Sequence, residues 1–150
     1  MTDFFQFEAD FVDSLRCIPM QVRFKLDTCG VKLKLPHWHH LSQDERQELV
    51  DMPCASEAEI AAYRIRLRQL VQSHLGELPA DLPVEPHPAW MDPTTVPDSV
   101  QTQAESVGQT LSQPQWANLT PLQRFALIKL SRSQHENKNF LPALQEFHLI

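Results

Sequence analysis

Glycine is scarce in this 150-residue chain, with only three copies, Gly30, Gly76 and Gly108. A phosphate-cradling loop or a dinucleotide fingerprint needs several glycines close together, so both are excluded. Cysteine is equally sparse: Cys17, Cys29 and Cys54 form no CxxC pair and provide no four-thiolate set for an iron–sulfur cluster. An odd cysteine count fits a reducing compartment, so the cytoplasm is the expected location. No apolar run of about 18 residues occurs, so no membrane span is expected. The start, MTDFFQFEADF, is acidic and aromatic and lacks the basic-then-apolar pattern of a secretory leader. Positive charge is also in deficit. A net charge of -6 argues against general nucleic-acid binding, which needs a basic face.

What the chain does contain is helix punctuation. Pro19 and Pro97 stand where a first helical residue belongs, because proline has no N–H to leave unpaired. Gly30 and Gly108 follow as left-handed helix stops. Ser42-Gln-Asp-Glu45, Ser56-Glu-Ala-Glu59 and Thr120-Pro-Leu-Gln123 are capping boxes, in which a hydroxyl and a carboxylate or amide reciprocally satisfy free N–H groups. Leu41 and Leu119 precede two of these caps, at the place of a hydrophobic staple.

These signals repeat. PMQVRFKLDTCGVKLKLPHWHHLSQDERQELV (19–50) aligns without a gap to PDSVQTQAESVGQTLSQPQWANLTPLQRFALI (97–128). The shared residues are Pro19/Pro97, Val22/Val100, Gly30/Gly108, Leu33/Leu111, Pro36/Pro114, Trp38/Trp116, Leu41/Leu119, Arg46/Arg124 and Leu49/Leu127. Those nine identities compare with about two from ordinary composition. The expected unit is helix–connector–helix, present twice. Trp38, Trp116, Leu41, Leu119, Leu49 and Leu127 are expected in the core. Arg46 and Arg124 are expected to meet a carbonyl or carboxylate between helices.

A longer central helix is expected over about 56–75, with Ile60, Tyr63, Leu67, Leu70 and Val71 on one face and Gly76 as its stop. Residues 77–97 are rich in proline and carry Glu77, Asp81, Glu85 and Asp92 but no lysine or arginine. Their Leu78, Leu82, Val84 and Trp90 predict an extended strap packed on helices. VKLKL (31–35) alternates as a short strand does. NFLPALQEFHLI reads as a last short helix with Phe140, Leu144 and Phe147 on one side and Asn139 as its cap. The predicted architecture is all-α: about six or seven short helices in one domain, 1–150, with two pseudo-repeated units around the central helix.

Candidate chemistry is thin. His37, His39 and His40 lie close together in HWHH, but the spacings with Cys29, Cys54 and His135 match no familiar zinc set. The second copy keeps the tryptophan and replaces the histidines with Gln115, Ala117 and Asn118. Packed tryptophan beside solvent-facing imidazoles is therefore the default reading, and a small metal- or cofactor-binding role for the cluster is the alternative. The cysteines read as small buried hydrophobes. Asp44, Glu45, Glu48 and Asp51 read as a solvated helix face favourable to the helix dipole. Two basic stretches remain as candidate docking residues for a partner: Arg23, Lys25, Lys32 and Lys34 in the first unit, and Arg132, His135, Asn137 and Lys138 in the polar stretch KLSRSQHENKNF, which also holds Lys129.

FFQFEADFVDSLRCIPMQVRFKLDTCGVKLKL near the start and LTPLQRFALIKLSRSQHENKNFLPALQEF near the end closely resemble the nitrate reductase associated protein family. The resemblance spans nearly the whole chain and is loosest in the proline-rich middle. It implies a small soluble protein, found mainly in cyanobacteria, whose genes sit beside those for assimilatory nitrate reductase and molybdopterin synthesis. It implies a non-catalytic accessory role in making or keeping that enzyme active, with no catalytic residues and no cofactor of its own. The implied partner is a ferredoxin-dependent molybdoenzyme with an iron–sulfur cluster. A permanent subunit or an adaptor that helps ferredoxin dock is the alternative within that reading.

Overall fold

The computed structural model describes residues 4–12, 14–133 and 137–150. The fold is helical, with one two-stranded sheet among the described residues. It holds more helices than the six or seven expected, because the connectors inside the repeat coil into short helices of their own. The chain forms two compact units: Glu8–Val84 with Phe4, and Glu85–Ile150 with Phe5–Phe7.

In the first unit, α1 (Ala9–Val12) leads to α2 (Met20–Cys29). Pro19 lies one place ahead of the position expected: it is the N-cap, with extended ψ of 155°. Proline offers no side-chain acceptor for the free N–H groups there, so another residue supplies one. The buried carboxylate of Glu8 accepts the Met20 N–H at 3.1 Å. α2 stops at Gly30, whose φ of +76° is open to glycine and strained for other residues. The strand that follows is shorter than VKLKL. Only β1 (Val31–Lys32) pairs, antiparallel to β2 (Ala80–Asp81), because Leu35 and Pro36 already open α3 (Leu35–His40). Proline's fixed φ fits the first helical turn and lacks the N–H that would extend the ladder.

α4 (Gln43–Asp51) and α5 (Glu57–Leu75) start at the Ser42/Glu45 and Ser56/Glu59 boxes, both formed reciprocally. α5 is the longest helix described and ends at Gly76 as expected. Tyr63, Leu67, Leu70 and Val71 are buried and Ile60 is partly so, packing with Trp38, Val22 and Leu49 in one core. The Tyr63 hydroxyl donates to Leu49 O at 2.8 Å, so the ring buries no unsatisfied polar atom.

The second unit contains α6 (Asp98–Ser106), α7 (Gln113–Ala117), α8 (Pro121–Arg132) and α9 (Phe140–Glu146). Pro97 is again the N-cap rather than the first helical residue. Thr120/Gln123 forms its capping box, and Ser112/Gln115 forms one that the sequence reading did not single out. Beyond Gly108, Gln101 holds Leu111 in both directions, accepting its N–H at 2.9 Å and donating to its C=O at 2.8 Å. A side-chain amide thus does for this turn what β2 does after Gly30. Phe140, Leu144 and Phe147 are buried, but Asn139 makes no side-chain cap to α9. Its φ/ψ of -88°/-3° is already helical, whereas a capping side chain needs an extended N-cap.

The strap divides between the units after Val84. It packs less tightly than its apolar residues predict: Leu78 and Val84 are about half exposed, and Leu82 and Trp90 are partly buried. Backbone does much of the fastening instead, through the β1–β2 pair and the Leu82 N–H to Gly30 O bond at 2.9 Å. Trp90 meets Phe125 edge-on, with centroids 5.1 Å apart.

The strap's closeness at Gly30 separates the three glycines. A Cβ there would lie 2.8 Å from Val84 Cγ2 and 3.0 Å from Leu82 O, whereas Gly76 and Gly108 have nothing within 4 Å. Gly76→Ala and Gly108→Ala should each cost about 1–2 kcal/mol from the left-handed backbone alone. Gly30→Ala should cost at least about 1 kcal/mol more from overpacking. Chemical denaturation of the three variants measures the ordering.

Candidate docking surface

The two tryptophans of the repeat are both fully buried and both tied to backbone. Trp38 Nε1 donates to Leu15 O at 2.7 Å, and Trp116 Nε1 donates to Asp92 O at 2.9 Å. The arginine eight residues later repeats the theme. Arg46 donates to Trp38 O and His39 O, each at 3.0 Å. Arg124 donates to Trp116 O at 3.1 Å, Trp90 O at 2.9 Å and Leu119 O at 2.8 Å. The acceptors at residues 38, 39 and 116 are carbonyls in the last turns of short helices α3 and α7; Trp38 O and Trp116 O also take the Leu41 and Leu119 N–H, so the guanidinium adds a second, charged donor. Each arginine occupies the fourth helical position after its cap, where a staple would place an apolar partner for Leu41 or Leu119. A guanidinium there replaces the apolar staple with a carbonyl clamp. These arginines act inside the fold, as expected, and are not surface binding groups.

The first basic stretch is not one patch. Lys25 is half-buried, and its Nζ donates to Val50 O at 2.6 Å and Met52 O at 2.7 Å, beside the Tyr63 ring. Burial lowers its pKa, and the ammonium caps the end of α4 instead of facing a partner. Arg23 is half-buried on α2. Lys32 and Lys34 are exposed and have no ion-pair partner among the described residues. β1 turns Val31 inward and Lys32 outward, and Lys34 stands as the N-cap of α3.

α3 then sorts HWHH. His37 and Trp38 face inward, while His39 and His40 face solvent with Leu35 and Pro36. The imidazoles use different backbone partners: His37 Nδ1 accepts the Lys34 N–H, His39 Nε2 donates to Arg16 O at 3.0 Å, and His40 Nδ1 donates to Pro36 O at 2.7 Å. Among the described residues, no three His, Cys, Asp or Glu side chains converge as a metal site would require. His39 brings exposed Arg16 to this surface, a residue that sequence reasoning left out. The signal was available only by reading LPHWHH as a helix; as a connector it gave no outward face.

In the second stretch, Arg132 is exposed at the end of α8, and Asn137 and Lys138 are exposed in the turn before α9. His135 lies outside the described residues. Lys129 sits 5.2 Å from the centroid of the Phe125 ring. In this unit, Gln6, Phe7, Pro142, Gln145, Glu146 and His148 line an open groove of about 460 Å³.

Several other titratable groups are engaged inside the fold, while the buried Arg68 Nε has no hydrogen-bond partner among the described residues. Glu48 takes Arg66 on both oxygens, at 2.6 and 3.0 Å, and Glu45 pairs with His74 at 2.8 Å. Cys29 and Cys54 are buried and unpaired in disulfides; burial pushes the Cys29 thiol up to about 11 and raises Cys54, which keeps both protonated at neutral pH. Arg64 joins Asp81 at 2.6 Å and Gly30 O at 2.9 Å, fastening the start of the strap. No helix among the described residues is long and apolar enough to cross a membrane.

Compared with known proteins, the chain matches the sequence profile of the conserved nitrate reductase-associated proteins over residues 4–147 and belongs to that family. No curated protein and no solved structure matches it.

The arginine clamps differ in burial: Arg124 is 7% exposed, whereas Arg46 is only partly buried. Arg124→Met should cost about 3 kcal/mol or more, since it orphans buried carbonyls that had charged donors, and Arg46→Met about 1–2 kcal/mol, since water reaches its carbonyls. Thermal unfolding of both variants checks the order. Carboxylates in the first unit predict acid sensitivity. Backbone and side-chain hydrogen bonds from Ser42 and Ser56, and the Arg66 guanidinium, hold Glu45, Glu59 and Glu48 below their ordinary 4.5. Their folded values lie below the unfolded ones, so their contribution is present above about pH 4.5 and is lost as pH falls through the depressed values. Circular dichroism against pH should show helix loss beginning below that point and shifted upward in Glu48→Gln.

Proposed function

We propose that this chain is a non-catalytic accessory protein for assimilatory, ferredoxin-dependent nitrate reductase, and that it acts in the cytoplasm by binding the enzyme directly during assembly, maturation or stabilisation. The observation that carries the reading is family membership over nearly the entire chain. The geometry supports it: the cations of the clamps are committed to carbonyls, whereas Lys32, Lys34, Arg132 and Lys138 stand outward. A protein that works by contact needs such outward anchors on a firm scaffold and no reacting groups of its own.

In this reading the protein engages enzyme that is not yet fully loaded with molybdenum cofactor and leaves afterwards. The docking residues are Arg23, Lys32 and Lys34 in the first unit, and Arg132, His135, Asn137 and Lys138 in the second. Lys25 contributes by holding α4 in place. A second reading, a permanent subunit or adaptor for ferredoxin docking, draws on the same outward lysines, since complementary charge speeds encounter with an acidic carrier.

A pull-down of tagged protein from nitrate-grown cells, with molybdenum measured in the captured nitrate reductase, tests both. Metal-poor enzyme is the expected capture. Equimolar, fully loaded enzyme would favour the permanent subunit, and absence of the enzyme would defeat direct binding.

A further inference from the structure

On a chain of net charge -6, residues 28–43 contain no aspartate or glutamate. They do contain Lys32 and Lys34, which are exposed and have no ion-pair partner among the described residues. The fold adds a third cation. Arg16 is distant in sequence, but its carbonyl accepts the His39 imidazole N–H at 3.0 Å, which fixes the Arg16 turn against α3. α3 is six residues long, about 9 Å, so these groups occupy a small area. Its outward residues are Leu35, which is 45% exposed, Pro36, His39 and His40.

We infer that the surface formed by β1, α3 and the Arg16 turn is a docking face for an acidic protein surface. The inference deepens the proposed function, and rests on it only in naming nitrate reductase as the partner. Three kinds of observation converge on this face. Its own charges are positive: Arg16, Lys32 and Lys34 offer donors, the 28–43 stretch has no acid, and the acid of the paired strand, Asp81, is taken by Arg64 at 2.6 Å. Both exposed histidines commit one ring N–H to a carbonyl, His39 to Arg16 O and His40 to Pro36 O, so the other ring nitrogen donates to an acidic group only when the ring is charged. Leu35 and Pro36 add exposed apolar surface to the same short helix, so the face offers apolar contact as well as charge.

The face is also held still before any partner arrives. Trp38 is buried within the same short helix and tied to Leu15 O, and Arg46 grips the carbonyls of Trp38 and His39. A surface already fixed in place loses little freedom on binding. The acidic partner gains contact with cations that no ion pair among the described residues holds back, and the encounter is steered by charge and weakened by salt.

The test uses the full chain, labelled with ¹⁵N, and a short peptide of alternating glutamate and leucine as probe. Amide shifts should move at Arg16, Lys32, Lys34, Leu35, His39 and His40, and should shrink in added salt. Lys32→Glu/Lys34→Glu should weaken the binding about tenfold or more, because like charges then face each other. Gln72→Glu/Ser73→Glu, which adds acid on the exposed side of α5, should leave it unchanged. Shifts that map elsewhere, or none, would overturn the inference. Purified nitrate reductase is the second probe. If it binds the wild type and the Lys32/Lys34 reversal equally well, this face is wrong while the accessory role stands. If the peptide maps to the face and nitrate reductase does not bind, the face stands and the accessory role falls.

Discussion

Much of this structure depends on what happens to the carbonyls at the ends of very short helices. α3 and α7 have six and five residues, so most of their carbonyls have no partner within the helix. In a buried setting each such group must be paired or it costs stability. Backbone N–H groups of Leu41 and Leu119 meet the tryptophan carbonyls, and the arginine eight residues after each tryptophan adds charged donors whose planar fork reaches several carbonyls at once. The tryptophan in turn fastens the segment that comes before the repeat. One indole and one guanidinium thus organise each copy, and the apolar residues around them close the core.

That arrangement explains why charged residues in a protein this acidic separate into two populations. Arg46, Arg124 and Lys25 are spent on main-chain carbonyls, and Arg64 and Arg66 on carboxylates and the strap. Lys32, Lys34, Arg132 and Lys138 remain outward. A count of basic residues along the chain treats both populations alike. Only the first kind contributes to folding, and only the second is available to a partner.

The repeat was legible in the sequence because its signals are local. Capping boxes, proline starts and glycine stops act within a few residues, so Ser42, Ser56, Thr120, Gly30 and Gly76 appear in the structure in the roles their spacing predicts. The departures share a cause as well. At Pro19, as at Pro97, proline is the N-cap, and Glu8, twelve residues before Met20, supplies the first unit with the acceptor that proline lacks. VKLKL shortens to two paired residues because the strap provides a partner only for Val31 and Lys32. Val84 and Leu78 stay half exposed because hydrogen bonds, not apolar burial, fasten much of the strap.

The candidate surface shows the same division. By itself the sequence determined the helical class, the duplicated unit, the buried tryptophans and the family resemblance, since each rests on residue identity and short-range spacing. Tertiary structure decided which cations are free. It drew Lys25 inward to the end of α4, turned Lys32 outward by strand alternation, coiled HWHH so that His37 and Trp38 point in while His39 and His40 point out, and set Arg16 beside them. The physical reason is that a free charge is defined by the absence of a partner, and partners for Lys25 and Arg124 come from carbonyls as far as 27 and 34 residues away in the chain.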